Sequence, residues 1–223
     1  MRYFFIALVA LFSVMASAQE ANPVMTYTDT LGMSVEATEY DGSAPFAARF
    51  TSNVTDAEDY IVLYEWRFTR LGESAPYLVR YDADTELTFT QSGTHLIQLI
   101  VSFVQGGDTI EYVQETPFSV NIRESRLEFP NVITPNNDGR NDELKPKQGW
   151  QSIVSFHARV FSRSGRLIYE WTDPAGKWDG RSGGRVVPDG AYYLRVDAMG
   201  ADGRKYEIRK TISVLSGYRE ESQ

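Results

Sequence analysis

The chain has 223 residues, no cysteine, two histidines and a formal charge of −8. Without cysteine there is no disulfide framework, thiolate metal site or thiol nucleophile, and His95 and His157 are too few for a histidine-rich metal centre. Residues 20–122 carry 16 Asp/Glu and 4 Lys/Arg, a net of −12, whereas residues 123–223 carry 14 and 17, a net of +3. That shift near residue 123 points to two domains, and the lack of a strong basic stripe in either half argues against a nucleic-acid partner.

Residues 1–18 read as a secretory signal. Arg2 is the positive n-region, Phe4 to Met15 is the apolar run, and Ala16-Ser17-Ala18 is the small-residue cleavage site before Gln19. This implies Sec-dependent export to the periplasm. The apolar run is too short to span a bilayer, and no cysteine near residue 18 offers a lipid anchor. Residues 19–33 read as a leader with a weak strand around Met25–Thr28. From Ser34 to Ile122 the apolar residues alternate in short runs separated by turn clusters, the pattern of an antiparallel β-sandwich. The longest are Tyr60 to Phe68, with Trp66 near its end, and Gly93 to Phe103. Trp66 and His95 both read as structural residues, not as ligand platforms.

Residues 34–122 resemble the PKD-like, immunoglobulin-type sandwich family. The likeness rests on Gly42-Ser-Ala-Pro45 followed by Phe46 to Phe50, on Tyr64-Glu-Trp66, and on Phe89-Thr-Gln-Ser-Gly93-Thr-His-Leu96. The family's turn after the Trp strand usually holds Asp-Gly or Asn-Gly. Here Thr69-Arg-Leu-Gly-Glu-Ser-Ala-Pro76 stands instead.

Arg123-Glu-Ser-Arg126 is a short polar linker, and residues 127–215 form a second domain. It opens on an apolar run, Leu127 to Ile133, broken at Pro135 into Asn136-Asn-Asp-Gly-Arg-Asn-Asp142. Pro, Asn, Asp and Gly each favour turns for a separate physical reason, so their crowding marks a specified loop. Ile153 to Phe161 alternates, with Ile153, Ser155, His157, Arg159 and Phe161 expected on one face and Val154, Phe156, Ala158 and Val160 on the other. Arg166 to Trp171 returns as its hairpin partner. Turn signals at Gly176–Gly180, Gly183-Gly184 and Pro188–Gly190 precede two closing strands, Ala191–Ala198 and Lys205–Leu215. No segment shows a helical period. The expected fold is all-β, two tandem antiparallel sandwiches, the second small and immunoglobulin-like.

Four motifs of this half, taken together, resemble the gliding-motility-associated C-terminal domain, the type B sorting domain of the type IX secretion system of Bacteroidota. They are Phe129 to Asp142 (with Pro130, Asn131, Thr134, Pro135, Asn136, Asp138, Gly139, Asn141 and Asp142), Val160 to Tyr169 around Gly165, Trp178-Asp179-Gly180, and Val187-Pro188-Asp-Gly190-Ala-Tyr192-Tyr193. The resemblance implies export across the outer membrane to the cell surface or medium. It also implies a type IX translocon and a PorP/SprF-type outer-membrane protein as partners. Trp178 is expected to cover one end of the small core, with one of Tyr192 and Tyr193 inward and the other on the surface. Family members end soon after the last strand, whereas residues 216–223 continue here as a tail, which bears on whether the domain is cleaved or retained.

Two readings stay open for the 136–142 loop. Asn137, Asp138, Asn141 and Asp142 place several hard oxygen ligands in one turn, the raw material of a Ca²⁺ site. The same residues also suit a turn bonded to its own backbone. No other cofactor is implied. Catalytic constellations are absent from the sequence. There is no Gly-x-Ser-x-Gly elbow, and Asp56, Glu58, Asp59, Asp82, Asp84 and Glu86 fall in turns as a solvated face. The chain therefore reads as a non-enzymatic exported protein whose first domain serves binding or spacing. The other functional classes are an accessory docking component of the secretion or gliding machinery at the outer membrane, and a carbohydrate-binding module using Tyr77 and Tyr81 on a surface polysaccharide.

Overall fold

Alternating apolar positions make strands throughout, and the computed structural model contains no helix among the residues it describes, 19–217. The expected signal segment 1–18 and tail residues 218–223 lie outside the described residues.

The first sandwich is built from β1 (Glu20–Ala21), β2 (Val24–Thr28), β3 (Ser34–Ala37), β4 (Glu39–Gly42), β5 (Phe46–Thr51), β6 (Val54–Thr55), β7 (Ile61–Arg70), β8 (Leu78–Arg80), β9 (Asp84–Phe89), β10 (Gly93–Gln105), β11 (Asp108–Val113) and β12 (Phe118–Ile122). One sheet has the order β3-β2-β5-β9 and the other β4-β12-β10-β7-β8, while β11 pairs with the far half of the long β10. Between them Phe50, Trp66, Phe68, Leu99, Val101 and Phe103 are buried, as period-2 alternation dictates. Burying side chains of this size stabilises by roughly 1.5–3 kcal/mol each.

Two expectations change here. The leader is not a leader: β2 pairs with β3 and β5, and Met25 is fully buried in the core. The weak strand expected around Met25–Thr28 is present, and it places Met25 in the core with Tyr27 packed against it. Asp41-Gly42, expected to open a turn cluster running to Pro45, instead ends a strand, Glu39–Gly42, that crosses to the second sheet and runs parallel to β12.

The second domain contains β13 (Val132–Ile133), β14 (Ile153–Phe161), β15 (Leu167–Trp171), β16 (Arg181–Ser182), β17 (Arg185–Val186), β18 (Gly190–Gly200) and β19 (Lys205–Val214). Its one large sheet has the order β13-β19-β18-β14-β15. The layer over that sheet is mostly irregular chain, carrying the buried Leu127, Phe129, Leu144, Trp178 and Val187. A run dense in Pro, Asn, Asp and Gly cannot sustain long strands, so this layer is held by the β16–β17 ladder and the bridges Arg126↔Gln151 and Leu144↔Trp178. The facing of β14 also departs from strict alternation. A register shift between Ile153 and Ser155 turns Ile153 into the core beside Phe156, Ala158 and Val160. Val154 then packs against the first core.

The two sandwiches share their junction. Ser152, fully buried with a positive φ of 51°, donates its N–H to Ser43 Oγ at 2.6 Å and accepts from Ala44 N–H at its own Oγ at 3.2 Å. Ala201 belongs to the first core although it lies in the β18–β19 turn, and its carbonyl accepts from Ser92 N–H at 3.0 Å. The short polar linker is bonded to the second domain as well. Ser125 is buried and bonds Asp202 and Tyr206 at 2.7 and 2.8 Å.

Candidate functional site: the motif pole of the second domain

Strand directions decide where the four motifs go. β14 ends at Phe161 opposite Tyr193, close to the start of β18, and β19 ends at Val214 opposite Gly190. β13 runs parallel to β19, so Ile133 lies beside Val214 and the loop after it emerges at the same end. The Thr134–Asp142 loop, the Gly165 turn and Val187–Gly190 thus share one pole. Ser152 and the Gly200–Gly203 turn occupy the other, against the first sandwich.

The motifs also touch one another. Trp178 is fully buried, donates its indole N–H to Arg181 O at 2.8 Å, and stands 5.7 Å from the Tyr192 ring. Tyr192 is buried and its hydroxyl donates to Pro188 O at 2.9 Å, while Tyr193 faces outward. Gly180 has a φ of +74°, and a Cβ there would lie 2.8 Å from Pro135 Cγ. Only glycine allows that backbone and that approach, which is why Trp-Asp-Gly and Thr-Pro occur in one fold. Leu144, which the motif reading passed over, pairs through its backbone with Trp178 in both directions at 2.8 and 2.9 Å. Its sequence signal was only one leucine in a charged stretch. At the start of the segment, Asn131 O accepts from Ser213 N–H, which fixes the Pro130-Asn131 approach to β13.

Within the loop the carboxylates serve the backbone. Asp142 Oδ1 accepts from the N–H groups of Asn136 at 3.1 Å and Asn137 at 2.7 Å, and its Oδ2 accepts from Gly139 N–H at 2.8 Å. Asp138 accepts from Arg140 N–H at 2.8 Å and from Asn136 Nδ2 at 2.9 Å, and these bonds hold its carboxyl below the usual carboxylate range. Thr134 closes the loop with bonds to Asn141 O and Arg140 O. Asn137 and Asn141 take positive φ, a conformation Asn tolerates well. A Ca²⁺ ion here would have to compete with these donors for both carboxylates. Among the described residues, no group of three or more His, Cys, Asp or Glu side chains is placed to hold a metal.

Beyond the loop, Asp179 Oδ1 caps Arg181 N–H at 3.0 Å. Asp189 accepts from Ser216 N–H and Oγ, which lowers its carboxyl pKa and pins the first residue of the expected tail to the pole. Lys177 and then Lys145 beside Glu143 lower that carboxyl likewise.

A family model for the CHU_C type IX secretion signal domain matches residues 127–214. This segment is a type IX secretion signal domain. The match ends at the last core strand. A comparison with curated proteins finds no match. Among solved structures, the chicken CNTN1 FN1–FN3 domains are similar over 86% of this chain and 74% of that one, at 10% identity and a TM-score of 0.33. Dimeric latent PorU from Porphyromonas gingivalis is similar over 95% of this chain and 21% of its own, at 13% identity and a TM-score of 0.27. SGBP-B of the Bacteroides ovatus mixed-linkage glucan utilization locus, in complex with a mixed-linkage heptasaccharide, covers 89% and 48%, at 15% identity and a TM-score of 0.27.

In the first domain, Trp66 is fully buried and its indole N–H donates to Ala83 O at 3.4 Å. His95 is buried between two partners. Its Nε2 faces Gln91 O at 3.0 Å, which can only accept, so Nε2 carries the proton and the Tyr77 hydroxyl donates to Nδ1 at 2.8 Å. Burial lowers the His95 pKa and pushes the Tyr77 phenol up to about 12. Tyr77 is thus half committed to His95, and Tyr81 stands exposed.

Proposed function

We propose that the chain is a non-enzymatic exported protein. It enters the periplasm by the Sec route and is carried outward by the type IX translocon, its signal domain being received at the outer membrane by a PorP/SprF-type protein. The PKD-like first sandwich is the passenger and serves binding or spacing. The observation that carries this reading is the signal-domain match over residues 127–214. The pole is where we place the receptor contact. It gathers the motifs, its loop carboxylates are bonded to backbone N–H groups, and it lies away from the passenger. A receptor that reads folded shape needs such a surface and no reactive group.

The test is cross-linked co-purification of the full-length protein with the PorP/SprF-type partner. Arg163→Glu together with Arg166→Glu, both in the pole's exposed β14–β15 turn, should abolish recovery while leaving the melting temperature unchanged. Arg204→Glu, near the opposite pole, should not. Equal recovery of the pole variant would remove the proposed contact. Stable retention of the wild-type protein with the partner would instead favour an accessory docking component over released cargo.

A further inference from the structure

The two outer faces of the first sandwich differ in a way that solvation does not explain. Across β2, β5 and β9, the outward row is Thr26, Arg49 and Glu86, an ordinary wet face. Across β11, β10 and β7, the outward positions include Val113, Ile100, Val104, Ile61 and Leu63, with Ser102 among them and Thr109 at the β11 edge. Ile61 is 67% exposed and Leu63 56% exposed. Ile100 is buried, yet it belongs to neither core, because it forms the floor of this outer patch. Glu111 and Glu65, the latter bonded to Arg67 at 2.6 Å, stand at the edges of the patch, and the domain as a whole carries −12 over residues 20–122. A largely apolar patch edged by charge is how a protein interface is organised.

The signal domain carries the counterpart. On the open face of its large sheet, Tyr193, Phe161 and Leu167 form an apolar row across β18, β14 and β15. The next row holds Arg209, Arg195 and Arg159, with Glu170 at its β15 end. Asp197 offsets part of that charge through Arg195 at 3.2 Å and Arg159, and residues 123–223 remain at +3. Both faces are sheets with the same strand spacing of about 4.8 Å, so rows of side chains can interleave when the sheets stack.

We infer that the apolar, acid-rimmed face of the first sandwich binds the aromatic and arginine face of the signal domain of a second copy, head to tail. Apolar rows meet apolar rows, and glutamates meet arginines. The like charge of two first sandwiches disfavours the symmetric alternative of face against its own kind. A heterologous contact of this sort does not close on two copies and extends into a chain of molecules. The face shares Phe161, Leu167 and Tyr193 with the pole motifs, but self-association is read on the purified chain with no receptor present, so its failure and that of the secretion reading are distinguishable.

Sedimentation of the purified chain from Gln19 onward tests it, over a concentration range reaching roughly 500 µM. The average mass should rise with concentration beyond that of a dimer, and fall when salt is raised from about 0.05 M to about 0.5 M. Leu63→Asp alone and Tyr193→Asp alone should each be monomeric and should melt like the wild type. Their equimolar mixture should stop at a one-to-one dimer, since each supplies the face the other lacks. Ile61→Ser is the second variant for the first face, and it should weaken association at least tenfold. A wild-type monomer at every concentration overturns the inference. So does self-association of either aspartate variant by itself, or a mixture that remains monomeric.

Discussion

Asp142→Ala is the perturbation that most directly probes how the motif loop is built. The carboxylate accepts three backbone N–H groups, from Asn136, Asn137 and Gly139. Each is worth about 1 kcal/mol net, and the half-exposed site lets water replace part of the loss, so the variant should lose about 2 kcal/mol. Because Ser152 and Ala201 knit the sandwiches together, the chain should melt as one unit. A loss of that size then lowers Tm by about 4–8 °C, given roughly 2–4 °C per kcal/mol for a chain of this length. Asp142→Asn keeps one acceptor oxygen and should lose about half as much. Calorimetry of the protein from Gln19 onward, with amide exchange at Gly139 as the local readout, measures both. The wild-type Tm should be the same in EDTA and in millimolar Ca²⁺. An alanine variant within about 1 °C of the wild type, or wild type and variant converging in EDTA, would refute the reasoning and restore the Ca²⁺ site.

Other expectations follow from the same geometry. Trp178→Phe removes the indole bond to Arg181 O and leaves a gap in a fully buried site. It should cost about 2–3 kcal/mol in denaturant titration. His95 has its pKa lowered by burial. The unfolded chain therefore takes up its proton first, and the stability held above the ordinary His value of about 6.5 is lost as pH falls through it. Comparing wild type with His95→Gln at pH 7.5 and at pH 5.5 should show the variant losing less on acidification. Ala201→Asp places a carboxylate in the first core from a turn of the second domain. It should lower the stability of both sandwiches together by about 3 kcal/mol or split one calorimetric transition into two.

Much of the fold was legible because its strands alternate. Trp66 falls in the core as expected, Phe156, Ala158 and Val160 share the buried face of their strand, and of the Tyr192–Tyr193 pair one is buried and the other exposed. The strand at Met25–Thr28 was legible, but its place in the sandwich was not, because its outward side is Thr-rich and Met25 is its one deeply buried side chain. Ile153 was misplaced because a bulge leaves no composition signal. The motif loop was legible as a turn, since Pro135, Asn137 and Gly139 are there for their backbone angles, but the sequence left its carboxylates open to either a metal or the backbone. The junction was invisible. Ser152 and Ala201 are small residues without pattern, and their role comes from long-range approach, Ser43 meeting Ser152 across 109 positions.

The central claim is that residues 127–214 send this protein out through the type IX machinery. A truncation at the domain boundary is a poor test, because it strips Ala201 and Val154 from the first core. The direct measurement keeps the chain whole and changes the cell. The full-length protein is located by immunoblot and surface proteolysis in a type IX-competent bacterium and in a strain lacking the translocon. Arrival at the surface or in the medium of the first, with retention in the periplasm of the second, is the predicted result. The same compartment in both strains would contradict the account.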